Sequence, residues 1–161
     1  MLVYRIAPEE HSLEVTGEGS RLNGGRWNEE GMPAVYTAGD PSLAMLEVIA
    51  FYALDGAPSD LVMVTIEIPD GVSIEQPDMR TFPANWTCRP LGNCTQAFGS
   101  TWLRSRRTAC LQIPSVLMPE GYGWNIVLNP LHPALAGQII VTKHEPIKID
   151  DRIVKQLGRP L

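Results

Sequence analysis

Lysine is nearly missing from this chain of 161 residues: Lys143, Lys148 and Lys155 are the only three, so residues 1–142 have arginine as their sole permanent cation. With 18 acidic against 13 basic side chains, the formal charge is −5. Sequence-independent nucleic-acid binding draws its affinity from neutralised phosphates, and an acidic chain without lysine clusters lacks that source. Scattered guanidiniums suit local, bidentate recognition of an anion instead. Cysteine is scarce as well. Cys88, Cys94 and Cys110 are odd in number and form no C-x2-C pair, which argues against a disulfide framework and structural zinc and leaves buried, reduced thiols as the expectation. No run of about 18 apolar residues is present, which excludes a membrane-spanning helix. The opening MLVYRIAPEEH has neither the basic start nor the apolar stretch of a signal peptide, so the expected compartment is the cytoplasm. Without a secretory route the sequons at Asn85 and Asn93 are chance matches. His11 and His144 lack ligand-like neighbours in sequence, so no metal site is expected, and His132, between Leu131 and Pro133, reads as a turn histidine.

The chain does have enough apolar material for one domain. Hydrophobic residues make up 44%, and a domain of this length buries on the order of two-thirds of its unfolded surface. Glycine and proline, 14 of each, are spread along the sequence instead of pooling in a linker, which predicts a single α+β domain over 1–161 with many turns. Strands are expected at 2–6, 34–37, 61–68, 109–113, 126–128 and 138–142. In the third of these Val62, Val64, Ile66 and Ile68 alternate, the mark of a half-buried strand. Asp40 followed by Pro41 is an N-cap with proline at the first helical position, predicting a helix to about Leu54, and a second helix is expected over 96–107. Residues 17–31 have five glycines and almost no apolar periodicity, so they read as a long surface loop.

Four positions could carry chemistry. Glu47 shares a helical stripe with Leu43, Ala50 and Leu54, where a carboxylate either reaches solvent at the stripe's edge or is held rigidly at a cleft for acid–base work or cation stabilisation. Arg26 follows Gly24-Gly25 and precedes Trp27-Asn28. Such a loop can bring backbone N–H groups and a guanidinium to phosphate oxygens, although a solvated loop charge has the same signature. Trp27 reads as an aromatic plug in the core. Tyr36 sits on a short strand, either in the core or facing a flat ring. Ser115, after Ile113-Pro114, either hydrogen-bonds a ligand or caps a turn. No G-x-S-x-G elbow accompanies it, and Gly17-x-Gly19 opens no dinucleotide-binding helix, so serine-hydrolase and Rossmann readings fail.

Taken in order, Tyr4-Arg5-Ile6, Gly24-Gly25-Arg26-Trp27-Asn28, Val35-Tyr36-Thr37-Ala38, Ser42-Leu43-Ala44-Met45-Leu46-Glu47, Gly99-Ser100-Thr101-Trp102, Ile113-Pro114-Ser115 and Asn129-Pro130-Leu131-His132-Pro133 resemble the RES domain. The resemblance runs over nearly the whole chain. It implies a fold related to ADP-ribosyltransferases, with short antiparallel strands and a few helices. It also implies a bacterial toxin that cleaves the nicotinamide–ribose bond of NAD by hydrolysis or phosphorolysis, or else transfers ADP-ribose to a protein. A catalytically silent partner-binding module is the reading from another class. NAD enters as substrate, with no cofactor and no metal. The matched motifs assign the family's arginine to Arg26, its tyrosine to Tyr36, its glutamate to Glu47 and its serine to Ser115, with Arg5 as a second arginine. On this reading Glu47 faces the cationic sugar and Arg26 the pyrophosphate. Tyr36 stacks on nicotinamide, Ser115 bonds its amide or ribose, and Gly24, Gly25 and Asn28 complete the binding loop. The implied partner is an Xre-like antitoxin that occludes the site and makes any DNA contact itself; a homodimer within that complex is compatible with the resemblance.

Overall fold

The computed structural model describes residues 1–53, 59–87 and 93–154. Seven strands, β1 (Leu2–Pro8), β2 (Val35–Ala38), β3 (Leu61–Glu67), β4 (Ile74–Glu75), β5 (Cys110–Pro114), β6 (Trp124–Leu128) and β7 (Ile140–Pro146), form a single sheet in the order β4-β5-β6-β2-β1-β3-β7. Every pairing is antiparallel except β4 with β5. Five helices are described: α1 (Glu9–Ser12), α2 (Glu18–Asn23), α3 (Pro41–Phe51), α4 (Asn93–Ser105) and α5 (Asp151–Val154). The class is the α+β arrangement of short antiparallel strands and few helices expected from the chain. No described helix is long and apolar enough to cross a membrane.

The pleat sorts side chains to two faces, and the register fixes which. Val35 pairs with Leu128 and Leu128 with Cys110, so these three share one face with Val3, Val64 and Ile66 in an apolar cluster. Tyr36, Val127 and Leu111 are likewise opposite one another and point the other way. That second face has two covers. Trp102 and Leu103 of α4 pack with Trp27, Phe82, Leu111, Ile113 and Val127, while Leu43 and Ala44 of α3 pack with Ala38, Tyr4 and Ile6. A cleft opens on this face where the two covers meet.

Several boundaries differ from the sequence reading, each for a physical reason. Residues 17–31 are not all loop: Gly17 (φ 75°) and Gly24 (φ 67°) bracket the six-residue α2, whose Ser20 hydroxyl accepts the Ala34 N–H at 2.8 Å. β3 is covered on both faces, not half-buried, because Leu61 packs with Val48 and Ile149 on the side opposite Val62 and Val64. α3 starts as predicted, with Asp40 Oδ1 accepting from the Ser42 and Leu43 N–H groups, but ends at Phe51; Leu54 lies outside the described residues. α4 begins and ends earlier than expected, and β7 runs later, through the polar Lys143-His144-Glu145 at the sheet edge, where pairing to β3 leaves no apolar alternation to read. Of the cysteines expected to be buried, Cys110 is, with its thiol pushed up to about 12 by burial, whereas Cys94 is exposed on the first turn of α4; Cys88 lies outside the described residues.

Candidate functional site

The glycine loop is held from within. Gly24 N–H donates to the Ser20 carbonyl (2.8 Å) and Gly25 N–H to the Asn28 carbonyl (2.9 Å), while Trp27 N–H donates to the Tyr36 hydroxyl (2.9 Å). The N–H groups of both Gly24 and Gly25 are thus engaged within the loop. Their smallness serves packing: a Cβ on Gly25 would lie 2.6 Å from the Tyr36 hydroxyl. Asn28, wholly buried, donates through Nδ2 to the carbonyls of Ser20 (2.7 Å) and Met32 (2.8 Å) and accepts the Tyr36 O–H through Oδ1 (2.7 Å). Its side chain is engaged within the loop and with Tyr36. From the other side α4 clamps the same loop. Gln96 Nε2 donates to the Gly25 carbonyl (3.1 Å), Ser100 Oγ accepts the Glu29 N–H (2.8 Å), and Gly99 lets the Trp27 carbonyl approach so closely that a Cβ there would overlap it.

What this scaffold presents to the cleft is Arg26 and Tyr36. Arg26 Nη1 donates to the Trp86 carbonyl (2.8 Å), fixing the guanidinium's position. Burial raises the Tyr36 phenol well above its ordinary value, outweighing the Trp27 N–H bond and the charge of Arg26, so the ring stays neutral. Trp27 is the expected core plug, packed against Phe82, Trp86 and Phe98, with one edge on the cleft.

Glu47 comes from the opposite wall. It is half-buried on α3, and two donors converge on its Oε1: Ser115 Oγ at 2.7 Å and Asn125 Nδ2 at 2.6 Å. Oε2 accepts no hydrogen bond from the described residues. A carboxylate clamped by one oxygen aims the other at whatever fills the cleft. Ser115 is itself buried and also accepts the Leu117 N–H (3.1 Å), so its hydroxyl holds Glu47 and terminates the strand at once. The cleft has two lobes. The smaller, about 80 Å³, is lined by Arg26, Trp27, Tyr36, Glu47 and Asn125, and the larger, about 280 Å³, by Met79, Trp86, Ser115, Met118 and Glu120; Pro114 and Val116 border both.

Arg26, Tyr36, Glu47 and Ser115, up to 89 positions apart, thus meet at one cleft. Arg5 does not join them. Its register partner is Val64, which places it on the face with Val3, away from Tyr36 and Asn125, and its Nη1 donates to the Glu14 carbonyl (2.7 Å). Burial lowers its pKa, with Glu14 opposing, and the guanidinium serves that backbone contact. His132 is a turn histidine, its Nδ1 accepting the Ala134 N–H (3.1 Å), and His144 Nε2 meets the buried Ser12 hydroxyl (2.6 Å). No group of three or more His, Cys, Asp or Glu among the described residues is placed to hold a metal. Sequence reasoning missed Asn125 and Trp86. Asn125 is the second residue of β6, just ahead of the expected strand, and only its register with Ala38 and Ile113 puts it on the cleft face.

The family described as RES domain matches residues 2–150. A protein of Sphingobium sp. (strain YBL2) named Prs ADP-ribosylating toxin is 39% identical over 139 residues, covering 83% of this chain and 85% of its own length. A protein of Photorhabdus laumondii named Toxin Res is 34% identical over 156 residues, 96% of this chain and 98% of that one. Among solved structures, a chain in the crystal structure of the M. tuberculosis MbcT–MbcA toxin–antitoxin complex superposes with a TM-score of 0.73 at 18% identity, over 98% of this chain and 88% of that chain.

Proposed function

The chain belongs to the RES domain family, and on that footing we propose that it is the toxin of a bacterial toxin–antitoxin pair that splits the nicotinamide–ribose bond of NAD. The observation that carries this reading is the convergence of Ser115 and Asn125 on one oxygen of Glu47, opposite Arg26 and Tyr36. Cleaving an N-glycosidic bond sends its electron pair to the pyridinium nitrogen, so nicotinamide departs neutral and positive charge develops on the ribose. Glu47, oriented before the substrate arrives, accepts from the ribose hydroxyls and stabilises that charge without reorganising. Arg26 takes the pyrophosphate, and the neutral Tyr36 supplies a flat surface for the nicotinamide ring. No step calls for a metal or a resident cofactor.

Release of nicotinamide from NAD by the purified protein tests the reading. Glu47→Gln conserves volume and should keep the fold while lowering turnover by at least about a hundredfold, the scale of losing one preorganised stabilising group. Equal turnover in the variant, or none in the wild type, overturns the assignment, and the second result leaves a partner-binding module. The Sphingobium relative's name favours a second reading in which the same bond is broken but a protein receives the ADP-ribose. NAD labelled in the ADP-ribose half separates them: label retained on protein marks transfer, and free ADP-ribose or its phosphate marks depletion. The proposed partner is an Xre-like antitoxin that covers the cleft, in keeping with the complex in which the structurally similar chain was crystallised.

A further inference from the structure

Away from the cleft, the sheet ends on an open strand. β7 closes the order β4-β5-β6-β2-β1-β3-β7, no described strand pairs with its outer edge, and residues 142–146 are all exposed. The unpaired N–H and C=O groups of such an edge are a template for another strand. Which groups are free follows from the ladder on the inner side. Ile147 N–H donates to the Leu61 carbonyl (2.9 Å), and the pairs that follow are Val62 with Pro146, Met63 with Glu145, Val64 with His144 and Thr65 with Lys143. Antiparallel ladders alternate bonded and non-bonded pairs. Glu145 and Lys143 therefore spend their backbone groups on β3, while His144 between them turns its N–H and C=O outward. Pro146 also faces outward but has only a carbonyl to offer.

The side chains along this edge have a pattern of their own. Lys143 and Glu145 share the α3 side of the sheet with Thr65 and Met63 and are exposed. Neither is in an ion pair among the described residues, although five arginines elsewhere are. His144 lies on the other face, where its Nε2 meets the buried Ser12 hydroxyl (2.6 Å).

We propose that β7 pairs antiparallel with β7 of a second copy of this chain about a two-fold axis at His144, joining the two sheets into one. At this register the two His144 residues exchange both of their outward backbone bonds. Lys143 then stands opposite the partner's Glu145, and Glu145 opposite the partner's Lys143, in non-bonded pairs where side chains come closest. Opposite charges so placed attract and like charges repel. Outward-facing residues recur every second position, so the register shifts only in steps of two. One step in either direction sets Lys143 against Lys143 or Glu145 against Glu145. A lone lysine on an edge discourages pairing in general. A lysine and a glutamate two residues apart discourage every antiparallel self-pairing except the one centred between them. This assembly is independent of the activity proposed above.

The experiment is sedimentation velocity on the full chain at low salt, over protein concentrations up to the solubility limit. The wild type should pass from monomer to dimer as concentration rises. Lys143→Glu and Glu145→Lys should each raise the dimer dissociation constant at least about tenfold, because each turns two attractive pairs into repulsive ones. Both reversals on one chain should bring it back to within about threefold of the wild type, since every pair is again of opposite sign. An equimolar mixture of the two single variants should dimerise as well, one strand then having two acids and the other two bases. The reversed positions are exposed, so the core is untouched. A wild type that stays monomeric, a dimer that survives either single reversal, or a doubly reversed chain that stays monomeric overturns the inference.

Discussion

At the scale of single residues the site depends on how Glu47 is held. Its two donors are not equivalent. Ser115 sits at the end of a strand and is locked by the Leu117 N–H, whereas Asn125 offers Nδ2 while its own Oδ1 is buried and finds no hydrogen-bond partner among the described residues. Under the proposed activity Asn125 acts as a positioning residue, and the prediction is a split in kinetic constants. Asn125→Ala should lower kcat by about tenfold to a hundredfold with a smaller change in KM, because it loosens the carboxylate without removing it. Asn125→Asp should fall further, since it sets a second negative charge against Glu47 in place of a donor. Steady-state kinetics on both variants checks this, and an unchanged kcat in Asn125→Asp contradicts the positioning role.

At the scale of elements, two contacts show why some of the fold could be read in advance and some could not. The start of α3 is a local affair: Asp40 and Pro41 act on groups within three residues, so the sequence announced the helix that carries Glu47. Asp40→Ala should cost about 1 kcal/mol, the usual worth of an N-cap, in chemical denaturation. Gly99 is the opposite case. Its neighbours in sequence give no reason for glycine, and the reason lies 72 positions away, in the Trp27 carbonyl that α4 must approach to clamp the loop. Gly99→Ala should cost about 1 to 3 kcal/mol, within the range of overpacked sites, and should reduce turnover as well because Arg26 and Tyr36 shift with the loop. A stability loss in Gly99→Ala no larger than that in an exposed position of the same helix would contradict the clamp. The polar end of β7 and the short α2 were illegible for a related reason. Their residues alternate in nothing, and one is defined by pairing to β3, the other by glycines at either end with positive φ.

Over the whole molecule the arginine bias acquires a structural meaning. Arg21, Arg80, Arg104, Arg107 and Arg152 each pair with a carboxylate of the same chain, Glu18, Asp78, Glu29, Glu75 and Asp150 respectively. They neutralise the protein's own acids, and among the described residues Arg26, anchored to a backbone carbonyl, is the guanidinium the fold brings to the cleft. Exposed pairs of this kind contribute little at neutral pH, yet they shape the acid limb of stability. The hydrogen bonds from Arg107 hold the Glu75 carboxyl below its ordinary value of 4.5, against a desolvation that acts the other way. A group depressed in the folded state stabilises it above the unfolded pKa and loses that effect as pH falls through the folded one. Stability should therefore be flat with respect to Glu75 from neutrality down to about pH 4.5 and decline below it. Melting temperature against pH should show a shallower acid limb in Glu75→Gln than in the wild type; superimposable curves would show that the pair has no part in it.

The sequence by itself determined the α+β class, the helix bearing Glu47 and, through ordered motifs, the four residues that meet in the cleft. Each rests on something local, either a period of two or of 3.6, a cap, or a short run of residue types. Tertiary structure decided which of the candidates share a face. The pleat inverts the side chain at every step, so Tyr4 looks toward the cleft's side of the sheet and Arg5 away from it, although the two are adjacent in every motif. It also decided how Gly24, Gly25 and Asn28 knit the loop together, because their hydrogen bonds close on Ser20, Met32 and Tyr36. And it added Asn125, whose place beside Glu47 follows from strand register across 78 positions, a distance over which no pattern of residue types can speak.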